Sequence, residues 1–226
     1  MENALEIIVS VAVFVFSVVV HENAHGVAAE RFGDSTARDS GRITMNPLPH
    51  IDPIGSVILP VLAIINTLPP FGWAKPVPVD SSNLRNPFVH NAYVAAAGPA
   101  SNFILAILSA VLYTIVLLFY KHVPLLQVNG EGSLLFFRTL FGNMIQINCI
   151  LGIFNLIPVP PLDGHWILFR YLPPRAGAAL AAIRPYGFMI LIIMVWTPVL
   201  GYIIMPPFQF IAGGLFRLVN FAVATF

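Results

Sequence analysis

Two histidines and a glutamate occur within five residues at the end of an apolar run, in the stretch VVVHENAHG (18–26). His21, Glu22 and His25 match the pattern H-E-x-x-H, and on an α-helix the two imidazoles lie one turn apart on the same face. That spacing allows both to ligate one zinc ion, with the glutamate beside them to take a proton from the attacking water molecule. We therefore predict that His21 and His25 are metal ligands and that Glu22 is the general base.

A hydrolytic zinc site needs a third protein ligand and a position open to water. Most acidic residues after Glu30 fall in polar or charged connecting stretches, and Asp52 precedes a proline as a helix N-cap residue would. Asp163 differs, because it lies in FNLIPVPPLDGHWILF (154–169), where prolines and a glycine interrupt an apolar helix. Irregular backbone at membrane depth is tolerated where it is buried in protein or lines a cavity. Asp163 is therefore the predicted third ligand.

The elements that carry these residues have the composition of a membrane protein. The chain has 226 residues, of which 58% are hydrophobic and 9% are charged. Soluble domains carry about 25% charged residues, so the deficit predicts an integral membrane protein. The formal net charge of +1 gives no sign of a nucleic-acid partner. The amino-terminal MENALE lacks the basic region of a secretory signal, so we expect no cleaved signal peptide.

Hydropathy predicts an all-α fold with about five transmembrane helices, because a span needs about 20 apolar residues. The predicted helices are residues 3–32, 89–120, 134–157, 186–204 and 208–225, with the last two separated at MPPF (205–208). No linker or charge block divides the sequence, so residues 1–226 are expected to form a single polytopic domain. Its catalytic core would cover about residues 3–170, followed by C-terminal helices over about 177–226.

The apolar stretch over residues 53–69 is short for a span and has a proline in its middle. Two interpretations are therefore open: the stretch crosses the membrane, or it enters the membrane and returns to the side that it left. Lys and Arg near helix ends favour the cytoplasmic side. A full crossing divides the basic residues five against five, whereas re-entry places eight inside and two outside. The eight are Arg31, Arg38, Arg42, Lys75, Arg85, Arg170, Arg175 and Arg184, and the two are Lys121 and Arg138. We therefore predict a re-entrant or short helical segment over 53–69.

Re-entry also brings the predicted metal ligands to one depth. The first helix and the 134–157 helix then run in the same direction, so His21, His25 and Asp163 all approach the cytoplasmic face. A full crossing would instead place Asp163 near the opposite face of a core about 30 Å thick. The proline-rich stretch GWAKPVPVD (72–80) is predicted to form a small extended or β element at the same cytoplasmic face.

At these residues the sequence resembles the site-2 protease family of intramembrane zinc metalloproteases. HENAH (21–25) is similar to the zinc helix of that family, and NLIPVPPLDG (155–164) is similar to its second signature, an Asn-x-x-Pro followed by Leu-Asp-Gly. Three intervening segments also resemble family segments: MNPLPHIDPIGSVILP (45–60), GWAKPVPV (72–79) and AAGPASN (96–102). The match covers about residues 10–170 in the same order and most resembles the compact branch without a PDZ or CBS domain.

The resemblance implies one zinc ion per chain, held by His21, His25 and Asp163, with Glu22 as general base. It also implies that Asn155, eight residues before the ligand aspartate, lies near the active site. The implied activity is that of a zinc-dependent intramembrane endopeptidase, a hydrolase that cleaves transmembrane segments of membrane proteins near the cytoplasmic side in regulated intramembrane proteolysis.

Asn102 and Asn155 are weaker candidates for site residues. Each could donate a hydrogen bond to a substrate backbone or to an oxyanion. Each could instead form hydrogen bonds between helices inside the bundle. The second explanation is preferred for Asn102, and neither is preferred for Asn155.

Other classes of function are compatible with parts of this pattern. An intramembrane zinc transporter would also place His and Asp in the membrane but would not need Glu22 beside them. A non-proteolytic membrane binding protein would not need all four residues of the predicted site. A zincin of the prenyl-protein protease kind would take a glutamate as third ligand, and no suitable one follows Glu30. The expected partners are a transmembrane protein substrate and the lipid bilayer, with a regulatory membrane partner or a homo-oligomer left open. The expected location is a prokaryotic plasma membrane, with the active site toward the cytoplasm.

Overall fold

The computed structural model describes residues 2–58, 73–123 and 131–226, and these ranges contain helices and no β-strand. Helices suit a bilayer because they satisfy their backbone hydrogen bonds internally. The α-helices are α1 (Glu2–Arg31), α2 (Thr36–Asp39), α3 (Pro87–His122), α4 (Glu131–Asn155), α5 (Gly164–Phe169), α6 (Pro174–Ile183), α7 (Gly187–Trp196) and α8 (Val199–Thr225). Short 3-10 turns occupy Leu48–His50, Ser81–Asn83 and Arg184–Tyr186, and a π-helical turn occupies Pro53–Ile58.

Within the described residues, five helical stretches are long and apolar enough to cross a membrane. They are Ala4–Arg31, Pro87–His122, Gly132–Asn155, Pro174–Trp196 and Val199–Thr225. The fourth joins α6, a 3-10 turn and α7 into one span. The prediction of an all-α integral membrane protein with about five transmembrane helices is therefore confirmed. The helix α3 has 36 residues, or about 54 Å at 1.5 Å per residue, so it extends beyond the hydrocarbon core.

The predicted boundary between the last two helices is wrong. Pro206 and Pro207 of the MPPF stretch lie inside α8, and the chain breaks instead at Thr197 and Pro198. Thr197 has φ −114° and ψ 162°, the extended conformation that a residue before proline prefers. Prolines within a membrane helix are tolerated because neighbouring groups satisfy the carbonyls that they free. A proline pair alone is therefore a weak sign of a helix end in an apolar segment.

The helices α1 and α4 run in the same direction through the centre of the bundle. Asn143 Nδ2 donates a hydrogen bond to Ser10 Oγ, and Asn148 Nδ2 donates one to Ser17 Oγ, each at 2.8 Å. Residue numbers thus increase together along the two helices. Because of this arrangement, the C-terminal third of α1 and the turn that follows α4 meet at one end of the bundle.

The chain between α1 and α3 returns to the end of the bundle that it left. Arg85 N, just before α3, donates a hydrogen bond to Phe32 O, just after α1, at 3.0 Å. Phe32 and Arg85 therefore lie at the same end of the bundle, as the predicted re-entry over 53–69 requires. Within that segment the structure shows the π-helical turn Pro53–Ile58, and residues 59–69 lie outside the described residues.

The described part of the predicted extended element, residues 73–80, is non-helical. Lys75 N donates to His50 O at 2.9 Å, and Arg42 Nη2 donates to Lys75 O at 2.9 Å. These contacts hold the segment against the chain that precedes it. In the described ranges it belongs to no sheet, since its two prolines lack the N–H groups that a β-ladder needs, so the element is extended chain and not a β-strand.

Apolar packing supports the turn between α4 and α5 from behind. Ile157 and Leu162 of this turn are buried in one cluster with Leu191 and Met194 of α7. A second buried cluster joins α3, α4 and α8 and includes Cys149. The C-terminal helices therefore pack against the elements that carry Asp163.

Candidate active site

Three predicted ligands converge at one end of the bundle. His21 Nε2 and His25 Nε2 are 3.0 Å apart, and Asp163 Oδ2 lies 3.2 Å from the first and 3.4 Å from the second. Their side chains are only 8%, 12% and 18% exposed, respectively. One ligand atom from each residue can therefore reach a single metal ion.

Asp163 reaches the histidines because its carboxylate is not used to cap the helix that it precedes. It occupies the N-cap position of α5, yet among the described residues its side chain accepts no capping hydrogen bond. Gly164 then packs its backbone on the turn after α4, where a Cβ atom would overlap Leu156 O and lie 2.6 Å from Ile157 O. The Asp-Gly pair therefore turns the chain tightly and leaves the carboxylate facing α1.

In each of the two histidines, the ring nitrogen that points away from the three ligand atoms forms a hydrogen bond. This bond determines which nitrogen carries the proton and which one is an acceptor. His25 Nδ1 lies 2.7 Å from Val94 O, and His21 Nδ1 lies 2.7 Å from Asn102 Oδ1. Both partners are oxygens that can only accept, so each Nδ1 carries the proton and each Nε2 presents a lone pair. Such outer hydrogen bonds are typical of metal-ligating histidines.

Three acceptor atoms without protons thus face one another, and this arrangement fits a cation. In the described part of the chain, the buried Asp163 Oδ2 atom has no hydrogen-bond partner. Two lone pairs and a carboxylate oxygen at this distance repel one another unless a positive charge lies between them. A tetrahedral ion with ligand bonds of about 2.0 Å separates its ligands by about 3.3 Å, and the observed spacings are 3.0, 3.2 and 3.4 Å. The donor set, two imidazoles and one carboxylate, suits zinc.

Gly98 of α3 is a site residue that the sequence reasoning missed. A Cβ atom there would overlap His25 Nε2 and would lie 2.6 Å from His21 Nε2. Only glycine therefore lets α3 pass so close to the cluster. The small residues of AAAGPASN indicated close helix packing in general, but they did not indicate what the helix approaches.

Glu22 lies beside the cluster and contacts the extended segment. Its Oε2 atom accepts a hydrogen bond from Val77 N at 2.8 Å. Glu22 lines the same cavity as the three converging residues, so its carboxylate is available to a water molecule in that cavity.

The cavity has a volume of about 770 Å³ and a mainly apolar wall. Trp73, Trp166 and Phe188 form part of this wall. Asn155 also lines the cavity, with Nδ2 donating to Leu151 O at 3.0 Å. Asn102 does not line it, because its side chain is fully buried behind His21. The structure thus brings Asn155, but not Asn102, to a position that a substrate could reach.

Asp34 binds the C-terminal end of the extended segment, at Asp80. The sequence did not predict this contact, because Asp34 lies in a charged connecting stretch. The residue is fully buried and accepts hydrogen bonds from Asp80 N at 2.8 Å, Asn83 Nδ2 at 3.2 Å and Thr36 N at 3.1 Å, and also from the Thr36 hydroxyl. Burial acts to raise the pKa of the Asp34 carboxyl, but these hydrogen bonds outweigh it and bring the pKa below its ordinary value.

Comparison with known proteins agrees with the geometry of the site. The model of peptidase family M50 matches residues 9–196. YwhC of Bacillus subtilis (strain 168), whose name describes a candidate zinc metalloprotease, is 35% identical over 196 residues, which cover 87% of this chain and 84% of the relative. Rip2 of Mycolicibacterium smegmatis, named in the same way, is 31% identical over 197 residues, which cover 86% of this chain and 69% of the relative.

No solved structure matches the chain. The family match covers both the helix with His21 and His25 and the turn with Asp163. The five apolar helices of the described residues are long enough to cross a membrane. The chain therefore belongs to peptidase family M50, the site-2 protease family, and is a multi-pass membrane zinc metalloprotease.

Proposed function

We propose that the protein is an intramembrane endopeptidase, which hydrolyses a peptide bond in a transmembrane segment of another membrane protein. One observation carries the proposal. The acceptor atoms of His21, His25 and Asp163 converge beside Glu22 in a single cavity at the end of helices that can span a bilayer. Residues 1–226 would act as one domain, with the catalytic core over about 3–170.

His21, His25 and Asp163 would hold one zinc ion per chain. When bound, zinc would polarise the scissile carbonyl and lower the pKa of the attacking water molecule. Glu22 would accept the proton of that water and deliver it to the leaving amine. Val77 N uses one acceptor site of the Glu22 carboxylate, which leaves further lone pairs to receive the proton.

The substrate must be unwound before its backbone can react. A transmembrane helix shields its carbonyls in internal hydrogen bonds, and a cavity of about 770 Å³ has room for a short extended stretch. The segment over residues 73–79 lines this cavity and could align such a stretch by strand addition. Asn155 could donate a hydrogen bond to the substrate backbone or to the oxyanion. Deleting residues 72–79 should abolish cleavage of a transmembrane reporter; unchanged cleavage would refute the alignment role.

The active site is proposed to face the cytoplasm of a prokaryotic cell. Basic residues meet at the end of the bundle that holds the site: Arg85 Nη2 contacts Arg31 O at 3.2 Å, and the Arg170 guanidinium lies 5.1 Å from the Phe88 ring centre. Lys121 lies at the other end of α3. This asymmetry supports a cytoplasmic position through the positive-inside rule.

Thiol labelling tests this orientation. The exposed positions Ser40 and His122 are changed singly to cysteine in a Cys149→Ser background. An impermeant thiol reagent should label His122→Cys in intact cells and label Ser40→Cys only after permeabilisation. The reverse pattern would place the site on the outer face.

The decisive test of the activity uses Glu22→Gln in purified protein. This variant should keep stoichiometric zinc but lose cleavage of a transmembrane reporter, because the amide cannot accept the proton. Cleavage at the wild-type rate would refute the role of Glu22. If the variant still carries zinc across the membrane of proteoliposomes, the transporter is supported instead. If the wild type cleaves none of a panel of transmembrane reporters, a binding protein is favoured.

A further inference from the structure

Three fully buried polar side chains form a connected network next to the site, and none of them touches the cavity. They are Ser17 of α1, Asn102 of α3 and Asn148 of α4. Buried polar groups are costly unless they are hydrogen-bonded, and here each is bonded to the others. Ser17 is one helical turn before His21, so the network lies directly behind the first histidine of the cluster.

The orientation of the Asn148 amide is determined by a backbone carbonyl. Asn148 Nδ2 donates to Met144 O at 2.9 Å and to Ser17 Oγ at 2.8 Å. A carbonyl oxygen only accepts, so the NH₂ group must face Met144 and the Oδ1 atom must face the other way. That oxygen lies 2.8 Å from Asn102 Nδ2 and accepts its hydrogen bond.

The Asn102 amide takes its orientation from this contact. Its NH₂ group faces Asn148 Oδ1 and also Ser17 O, at 3.4 Å, and both are acceptors. Its Oδ1 atom must then face His21 Nδ1, at 2.7 Å. If the Asn102 amide were reversed, its Oδ1 atom would lie at hydrogen-bond distance from Asn148 Oδ1 with no proton between the two oxygens. Such a contact is strongly unfavourable in a buried site.

From this network we propose that Asn148 is a positioning residue of the metal site. By holding the Asn102 amide in one orientation, it keeps the His21 proton on Nδ1 and leaves the Nε2 lone pair directed at the metal. The inference rests on the proposed role of His21 as a ligand. His25 needs no such network, because its Nδ1 donates directly to a backbone carbonyl, Val94 O.

A matched pair of variants isolates this role. Asn148→Leu removes the group that orients Asn102 and keeps the number and branching of the side-chain heavy atoms. Asn143→Leu is the control, because Asn143 joins the same two helices through Ser10 Oγ at 2.8 Å and does not contact the network. The full chain is purified in detergent micelles for both variants and for Asn148→Ala.

The first readout is the tautomer of each histidine, measured by ¹⁵N NMR of histidine-labelled, metal-free protein at alkaline pH. In the wild type and in Asn143→Leu, His21 and His25 should both be Nδ1-protonated. In Asn148→Leu, His21 should become a mixture of tautomers while His25 stays unchanged. A single Nδ1-protonated form of His21 in Asn148→Leu would overturn the proposal.

The second readout is zinc affinity in competition with a chelator. Loss of a residue that orients a ligand costs about 10- to 100-fold in metal affinity, so Asn148→Leu should fall in this range and Asn143→Leu should stay within about twofold. Wild-type affinity in Asn148→Leu would contradict the proposal. If that variant does not fold, Asn148→Ala serves in its place, because it removes the same amide. Mixed tautomers of His21 are expected, and an unchanged His21 spectrum would contradict the role. Neither readout depends on proteolysis, so an inactive wild type would refute the proposed function without affecting this test.

Discussion

Gly98 faces His25 so closely that a Cβ atom on Gly98 would overlap the imidazole Nε2 atom of His25. The contact joins the N-terminal third of α3 to the helix that carries the H-E-x-x-H motif. It explains why the small-residue stretch AAAGPASN occurs where it does, since α3 could not otherwise pass the cluster of ligand atoms.

We predict that Gly98→Ala removes zinc from the protein. The added methyl group would occupy the space of the two Nε2 atoms and push the imidazoles away from Asp163, so the three ligand atoms could no longer meet. Zinc content after purification measures the effect, with less than about a tenth of the wild-type amount expected, in keeping with the geometric demands of the ion.

The control for this prediction is Gly142→Ala in α4, where a Cβ atom would have no atom of the described residues within 4 Å apart from its chain neighbours and the backbone of its own helix. This variant should keep its zinc, because alanine is favourable in a helix and nothing is displaced. Stoichiometric zinc in Gly98→Ala would show that the close approach of α3 does not constrain the metal site.

The sequence predicted the cluster but not the residues that surround it. His21, Glu22 and His25 follow one another on a single helix, so their spacing alone determines their geometry. Asp163 was predicted because irregular backbone in an apolar region is unusual. Gly98, Asn148 and Val77 carry no such signal, since their contacts depend on how separate elements pack in three dimensions.

The positions of the membrane-spanning helices were predictable to a similar extent. Apolar length determines where a span is required, and the first three spans lie close to the predicted ones. The boundary at Thr197 and Pro198 was missed because both this proline and the pair at Pro206 and Pro207 are compatible with a helix break. Which proline ends a helix depends on the neighbouring groups that satisfy the free carbonyls, and a single sequence does not contain that information.

We predict that Asp163→Ala lowers zinc affinity by at least about 100-fold, because it leaves two ligands where a zinc site needs three. Competition with a chelator measures the affinity. Asp39→Ala is the control, since Asp39 is an exposed aspartate that accepts a hydrogen bond from Ser35 Oγ at 2.7 Å. If Asp163→Ala retains stoichiometric, tightly bound zinc, another residue must be the third ligand.

We predict that Val77→Pro lowers kcat while zinc content stays stoichiometric. Proline removes the N–H group that donates to Glu22 Oε2 at 2.8 Å and suits a segment that is already rich in proline. Hydrogen bonds to charged groups contribute about 1.5–3 kcal/mol, so kcat should fall by about 10- to 150-fold if the bond orients the general base. The rate of cleavage of a saturating transmembrane reporter measures this effect.

Val77→Ala is the matched variant, because it shortens the same side chain and keeps the N–H group. The ratio of kcat between the alanine and proline variants therefore isolates the hydrogen bond from the loss of packing. Equal kcat values for the two variants would show that the backbone N–H of residue 77 does not assist Glu22.

We predict that Asp34→Asn destabilises the protein at neutral pH by about 1–3 kcal/mol. One oxygen of the carboxylate becomes an NH₂ group facing donors such as Asp80 N and Thr36 N, so at least one buried hydrogen bond is lost. The pKa of Asp34 is lower in the folded protein than its ordinary value. The carboxylate therefore stabilises the fold fully above its unfolded pKa, about 3.9, and this stabilisation is lost as pH falls through the lower, folded pKa.

Thermal unfolding in detergent at neutral and acidic pH tests both parts of the Asp34 prediction. Wild type should lose more stability on acidification than Asp34→Asn does, because the variant has no carboxylate to protonate at this position. Asp39→Asn is the control, since an exposed carboxylate contributes little at either pH. Equal losses in wild type and Asp34→Asn would mean that the buried carboxylate does not stabilise the junction between α1 and the extended segment.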